Sequence, residues 1–438
     1  MARAYLQRAR EETVGSYLLP ICTAIAISLA AGFALGTTVA FARAVGWGAG
    51  GRLGALVQAH GHAQLMGWAG LFIMGMAYRL VPRFTASSPV APLPFFASFL
   101  ALGTGVMVRV MGQPLATGEV GKGLLLASGG LEATGAAIFA YQVGRRLWHR
   151  PGAPFTPHLA SMAWWLLMAK ALALAWAFAV PGMGPAMYPF GRNQALVTME
   201  MVGFVLCAVI GVSLRTVFIF FGRQLLQGPT LWAIWAPLQA GLFLYLTVAL
   251  WRDAHPDATT LELEATAHML MGLGLASPAL LSAFWRPPLR LRALSREPGR
   301  LVQMAMGWLA LGGVMLTTMG ALSLAHIAPL ELPRLDAIRH VLGTGTITTM
   351  ILGMAYLVLP PFALARQRGL GYRWAVRVAL VALPSATTLR ALGSWMRGEW
   401  GVADHLAGWG GALAWTAVAT FAIALAQAML QRDHEGGS

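Results

Sequence analysis

The chain has 438 residues, of which 57% are hydrophobic and only 11% are charged. Globular proteins carry about 25% charged residues, so too few polar side chains are present to cover a water-facing surface, and an ordinary soluble fold is excluded. The formal charge of +15 does not point to nucleic acid, because the arginines stand between apolar runs rather than on one patch.

Those apolar runs are long enough to cross a bilayer and recur along the whole chain. In order, the predicted spans are 17–42, 55–82, 92–112, 121–143, 157–179, 194–221, 229–251, 261–285, 302–326, 335–362, 372–394 and 402–430. The charged residues Arg3, Arg8, Arg10, Glu11 and Glu12, followed by a run of full spanning length, argue against a cleavable signal at the start. The expectation is one all-α integral membrane domain over 1–438. Cys22 and Cys207, both inside apolar runs, read as small apolar fillers rather than a disulfide framework. The segments expected on one side carry Arg79, Arg83, Arg145, Arg146, Arg150, Arg223, Arg286, Arg290, Arg292, Arg296, Arg300, Arg366, Arg368 and Arg373. The opposite loops are richer in acids, with Asp253, Asp257, Glu331, Asp336, Glu399 and Asp404. By the positive-inside rule both termini are cytoplasmic, and even-numbered spans run from outside to inside.

A repeat organises the spans. Gly61 to Phe84 aligns without a gap on Arg339 to Phe362: His62 falls on His340, Gly67 on Gly345, and Gly75–Tyr78 on Gly353–Tyr356. The sixth span joins more weakly, with Gly203, Gly211, Arg215 and Phe220 on Gly67, Gly75, Arg79 and Phe84. Gly203 follows Gly67 by 136 residues and precedes Gly345 by 142. Three pseudo-repeated four-helix arcs are therefore expected, approximately 17–143, 157–285 and 302–430.

An ionisable residue at membrane depth is expensive and is a functional candidate by default. His60, His62, His268, His340 and His405 all fall near the starts of even-numbered spans; His149, His158, His255 and His434 read as surface residues. His62 and His340 are symmetry mates. Two imidazoles from facing helices are what a six-coordinate haem iron requires. Gly61, Gly67, Gly343 and Gly345 would let a flat macrocycle approach the backbone, Met66 and Trp68 flank it, and Arg339 suits a haem propionate. His60 points about 200° away from His62 on a helix, so it is a candidate for copper, a second haem, a propionate or a helix cap. His268 is a candidate partner in such a second site. Glu132 and Lys170 lie deep in the fourth and fifth spans, where mutual pairing is favoured over a proton path. Glu200 is expected either to face a cofactor or to bond a neighbouring helix.

At these residues the sequence resembles the NnrS family, membrane proteins of the nitric oxide and nitrosative stress response described as containing haem and copper. His60-Gly61-His62-Ala63-Gln64-Leu65-Met66-Gly67-Trp68 looks like its H-x-H-E-M-x-x-G-F segment, and His340-Val341-Leu342-Gly343-Thr344-Gly345 with Met350 looks like its later histidine signature. Gly211-Val212-Ser213-Leu214-Arg215 is similar to a further family stretch. The chain departs from the family where Gln64 replaces a glutamate and where Leu359 or Pro360 replaces an arginine. A wider resemblance is to the catalytic subunit of haem-copper oxidases and nitric oxide reductases, which also has three arcs of four helices and holds its low-spin haem from helices 2 and 10. That subunit's further active-site histidines are missing here: the sixth and seventh spans contain none, and Ile338 stands two residues before His340.

The resemblance implies a bacterial inner-membrane protein with one or two haem b groups and a copper ion as an alternative. It further implies a role in nitric oxide handling or the associated electron transfer, with a respiratory electron donor and a small diatomic ligand as partners. Two other readings stay open: an oxidase-like subunit with unusual ligands, and a cofactor-free transporter built from repeats.

Overall fold

A computed structural model of the chain describes residues 16–47, 51–252, 258–287, 296–363, 370–396 and 401–435. Twelve long helices follow one another: α1 (Leu18–Ala44), α2 (Leu53–Thr85), α3 (Pro92–Leu115), α4 (Gly118–Leu147), α5 (Thr156–Phe178), α6 (Phe190–Phe220), α7 (Pro229–Arg252), α8 (Ala258–Leu281), α9 (Arg296–Leu324), α10 (Leu332–Leu359), α11 (Leu370–Trp395) and α12 (Val402–Glu435). Eleven are long and apolar enough to cross a membrane. The remaining one, α8, is as long but carries Glu262 and Glu264 in its first turns. The fold is all-α and membrane-spanning. His255 and several loop charges (Arg290, Arg292, Arg366, Arg368, Asp253, Asp257 and Glu399) lie outside the described residues.

Local chemistry sets the helix ends. Pro92, Pro157 and Pro333 occupy first-turn positions, where the missing N–H costs nothing. At the far end of α2, Ala86 turns left-handed (φ 53°) and closes the helix on the Pro82 carbonyl.

Burial separates the helices into two shells. The apolar windows of α2, α6 and α10 are 78%, 89% and 83% buried, against 39–50% for the other eight. The outer helices form a closed ring, in the order α1, α3, α4, α5, α7, α8, α9, α11, α12 and back to α1. The three inner helices touch one another at its centre, and Trp68 Nε1 on α2 donates to Thr348 Oγ1 on α10 at 3.3 Å.

Lipid tails give no hydrophobic drive to helix association, so close approach through small residues supplies the packing. A Cβ on Gly313 of α9 would stand 2.6 Å from the Ala276 amide nitrogen of α8, so glycine fixes that crossing. Gly67 and Gly345 serve the same end. They face Ile27 and Val106, and Trp308 and Thr387, respectively.

Each inner helix opens into a π-helical stretch of eight residues: Ala63–Gly70, Met199–Leu206 and Val341–Thr348. Their starts are separated by 136 and 142 residues, the spacing that relates the glycines of the same three spans. A π turn rotates the side chains on either side of it and recurs at functional sites. Here His62 and His340 are the last α-helical residues before the first and third stretches.

Gly313→Leu is expected to destabilise the bundle by about 1–3 kcal/mol through overpacking. A lowered thermal midpoint of the detergent-solubilised protein checks this, and an unchanged midpoint contradicts the packing described.

Candidate functional site

Four ionisable side chains from four helices meet between α2, α4, α5 and α6. His62 Nε2 lies 3.0 Å from Glu132 Oε1. Lys170 Nζ lies 2.7 Å from Glu132 Oε2 and 2.5 Å from Glu200 Oε1. The ring nearly closes, with Glu200 Oε2 3.9 Å from His62 Nδ1. None of the four side chains is more than 3% exposed.

Lone charges at this depth would be prohibitive, so the charges must balance. Two carboxylates face Lys170 and the buried guanidinium of Arg109, which lies 4.8 Å over the Tyr188 ring. Ser128 donates a further hydrogen bond to Glu132 at 2.8 Å. Gly105 lets α3 pass close over Glu132, since a Cβ there would stand 2.6 Å from Glu132 Cγ. A carboxylate only accepts, so Nε2 of His62 carries the proton that Glu132 binds. Nδ1 of His62 then keeps its lone pair and has no hydrogen-bond partner among the described residues.

His62 and Glu200 also border a cavity of about 810 Å³, within the usual range for a cofactor or ligand pocket. It opens among α1, α2, α6, α10 and α12, beneath the 179–189 loop. His60 and His340 line it as well. His60 Nδ1 lies 2.9 Å from the Gly32 carbonyl oxygen, and His340 Nδ1 lies 2.7 Å from that of Asp336. Because a carbonyl accepts, both rings donate from Nδ1 and retain a lone pair on Nε2.

The local sequence explains these anchors. The Gly32 carbonyl that His60 uses sits at the end of a short π stretch in α1, Ser28–Gly32. Gly36, one turn on, leaves room for the imidazole, with which any Cβ would collide. On α10, Ser394 donates to Asp336 Oδ2 at 2.6 Å, and Arg390 Nη2 stands 3.7 Å from the same oxygen. Both His60 and His340 lie within electrostatic range of Asp336 and Arg390, whereas His62 shares its surroundings with Arg109, Glu132 and Lys170.

The structure therefore brings His60, His62 and His340 to one cavity, together with Trp68, Gly61, Gly343 and Arg339, whose guanidinium bonds Gln194. Met66 and the two packing glycines, Gly67 and Gly345, do not line it. His268 is not brought near His60. It sits on α8, bonded to the Glu264 carbonyl at 2.8 Å and edge-on to Tyr245. Glu132 and Lys170 do pair, and Glu200 both bonds a neighbouring helix and faces the cavity. His158 corrects the surface expectation: it is fully buried at the start of α5, with neither ring nitrogen hydrogen-bonded among the described residues. Among the described residues no group of three or more His, Cys, Asp or Glu side chains is arranged to hold a metal ion.

Sequence reasoning overlooked Arg109, although the rule that singled out Glu132 and Lys170, a charge inside a span, applies to it equally. It also overlooked the Asp336–Ser394–Arg390 support of His340, because Asp336 reads as a loop acid until α10 is known to begin at Leu332.

No model of a known protein family matches the chain, and no curated protein is similar to it.

Lys170→Met leaves two buried carboxylates facing one another and is expected to cost about 3–5 kcal/mol. Adding Glu132→Gln and Glu200→Gln should recover most of that loss. The yield and thermal midpoint of the purified variants decide; a single variant as stable as the parent contradicts the pairing.

Proposed function

We propose that this chain is a haem-binding membrane protein of the NnrS type, associated with nitric oxide handling, in which one haem b lies in the cavity between α2 and α10. The observation that carries the reading is a pair of imidazoles in one enclosed cavity, each tied through Nδ1 to a backbone carbonyl and each keeping Nε2 unprotonated. A histidine ligand needs that arrangement, with the second nitrogen fixing tautomer and ring orientation.

The sequence register pairs His340 with His62. The side-chain geometry instead favours His60, because Nε2 of His62 is held by Glu132 and its Nδ1 faces Glu200. The residues present fit the group. The lining is mainly apolar, and Arg339 and Arg390 border the cavity on the His340 side, where they suit carboxylate side groups. Gly61 and Gly343 present bare backbone to the cavity, with nothing within 4 Å of where a Cβ would stand.

Bound haem would supply one-electron exchange at its iron. The chain's part is to hold the two imidazoles, keep water from the pocket with Trp68 and the surrounding apolar side chains, and orient His340 through Asp336. With both axial positions taken by protein, electron transfer to a nitric oxide-handling partner is favoured over direct capture of a diatomic ligand. The arginine asymmetry supports a bacterial inner-membrane location with both termini cytoplasmic, and the cavity then opens near the outer face.

Purified protein is expected to show the absorption of a low-spin haem on reduction. His340→Ala should lose it, and so should Gly36→Leu, which touches His60 alone. A colourless protein, or a spectrum unchanged in both variants, overturns the reading.

A further inference from the structure

The buried ring is closed on every side but one. Lys170 bonds both carboxylates, Glu132 binds His62, and the remaining gap of 3.9 Å separates Glu200 Oε2 from His62 Nδ1. Two acceptors face each other across that gap with no proton between them. Both residues border the cavity, whereas Glu132 and Lys170 do not. We propose that this gap is a binding site for one proton, exchanged with the cavity and carried on Glu200 Oε2, from which it donates to His62 Nδ1.

Loading forms one O–H bond at Glu200, the proton arriving from water through the cavity mouth, and breaks no contact already present. The site's need for such a proton follows from charge. Glu132 and Glu200 balance Lys170 and Arg109, so the unloaded cluster is neutral and the loaded one carries +1. In a low-dielectric interior that charge is favoured when a negative charge enters the neighbouring cavity, and disfavoured when it leaves.

The other groups that face or neighbour Glu200 are named by element. They are His62 on α2, Arg109 on α3, Glu132 on α4, Lys170 on α5, and Tyr188 on the loop before α6. Tyr245 on α7 is partnered by Thr198, and Arg339 and His340 on α10 border the same cavity. Of these, the nearest nitrogen with a lone pair to accept from a protonated Glu200 is His62 Nδ1.

Loading by an electron on bound haem rests on the haem reading; the proton site itself does not. Infrared difference spectra of the full-length purified protein between high and low pH test it. A buried protonated-carboxyl band is expected to appear on acidification, shift with ¹³C-glutamate, persist in Glu132→Gln and vanish in Glu200→Gln. Should Glu200→Gln fail to fold, Glu200→Asp is expected to move the band without abolishing it. A band that survives Glu200→Gln, does not move in Glu200→Asp, or never appears overturns the proposal. Loss of the low-spin haem in His62→Gln also overturns it, since His62 would then be an iron ligand. In haem-loaded protein the same band should appear on reduction at constant pH. A colourless preparation sinks the haem reading alone and leaves the pH experiment intact.

Discussion

Charge neutrality in a medium that tolerates no stray charge is the constraint on which the centre of this protein depends. Lys170 cannot lie inside a bundle of spanning helices unless carboxylates meet it, and Glu132 and Glu200 come from α4 and α6 to do so. His62 is drawn into the same ring through Glu132. One set of ion pairs thus ties an inner helix of one arc to an inner helix of the next, and to two helices of the outer ring. Apolar side chains would pack as well at lower cost, so such a cluster points to a use for its charges rather than to stability.

The cavity is the complement of that ring. Three π stretches widen the inner helices at one level, and the cavity opens at the first and third of them. Polar anchoring then divides the histidines by role. His60 and His340 are fixed by backbone carbonyls and keep lone pairs for the cavity. His62, two residues from His60, is turned to the opposite wall and belongs to the charged ring. The 200° separation of i and i+2 on a helix accounts for the division without any further device. A site that moves electrons on one wall and protons on the other is the functional picture this geometry favours.

Much of this was legible in the sequence. Hydropathy alone placed all twelve helices, because a bilayer leaves so few alternatives. The glycine spacing of the second, sixth and tenth spans anticipated the spacing of their π stretches, since both belong to the same backbone register. His340 and the Glu132–Lys170 pair also stood out, as polar residues at membrane depth. The division of labour between His60 and His62 was not legible. It depends on which partner lies across each helix face, and those partners, the Gly32 carbonyl and Glu132, are contributed by segments far away in the chain. Likewise His158 looks like a loop residue from its neighbours, yet α5 begins before it and buries it against Gly211 of α6.

The assignment of His60 and His340 as the two axial donors is the central claim, and near-infrared magnetic circular dichroism of the oxidised protein tests it most directly. The account predicts the charge-transfer band of a bis-imidazole iron in the parent protein and in His62→Ala, and its loss in His60→Ala and in His340→Ala. A band that survives His60→Ala and disappears in His62→Ala would contradict it.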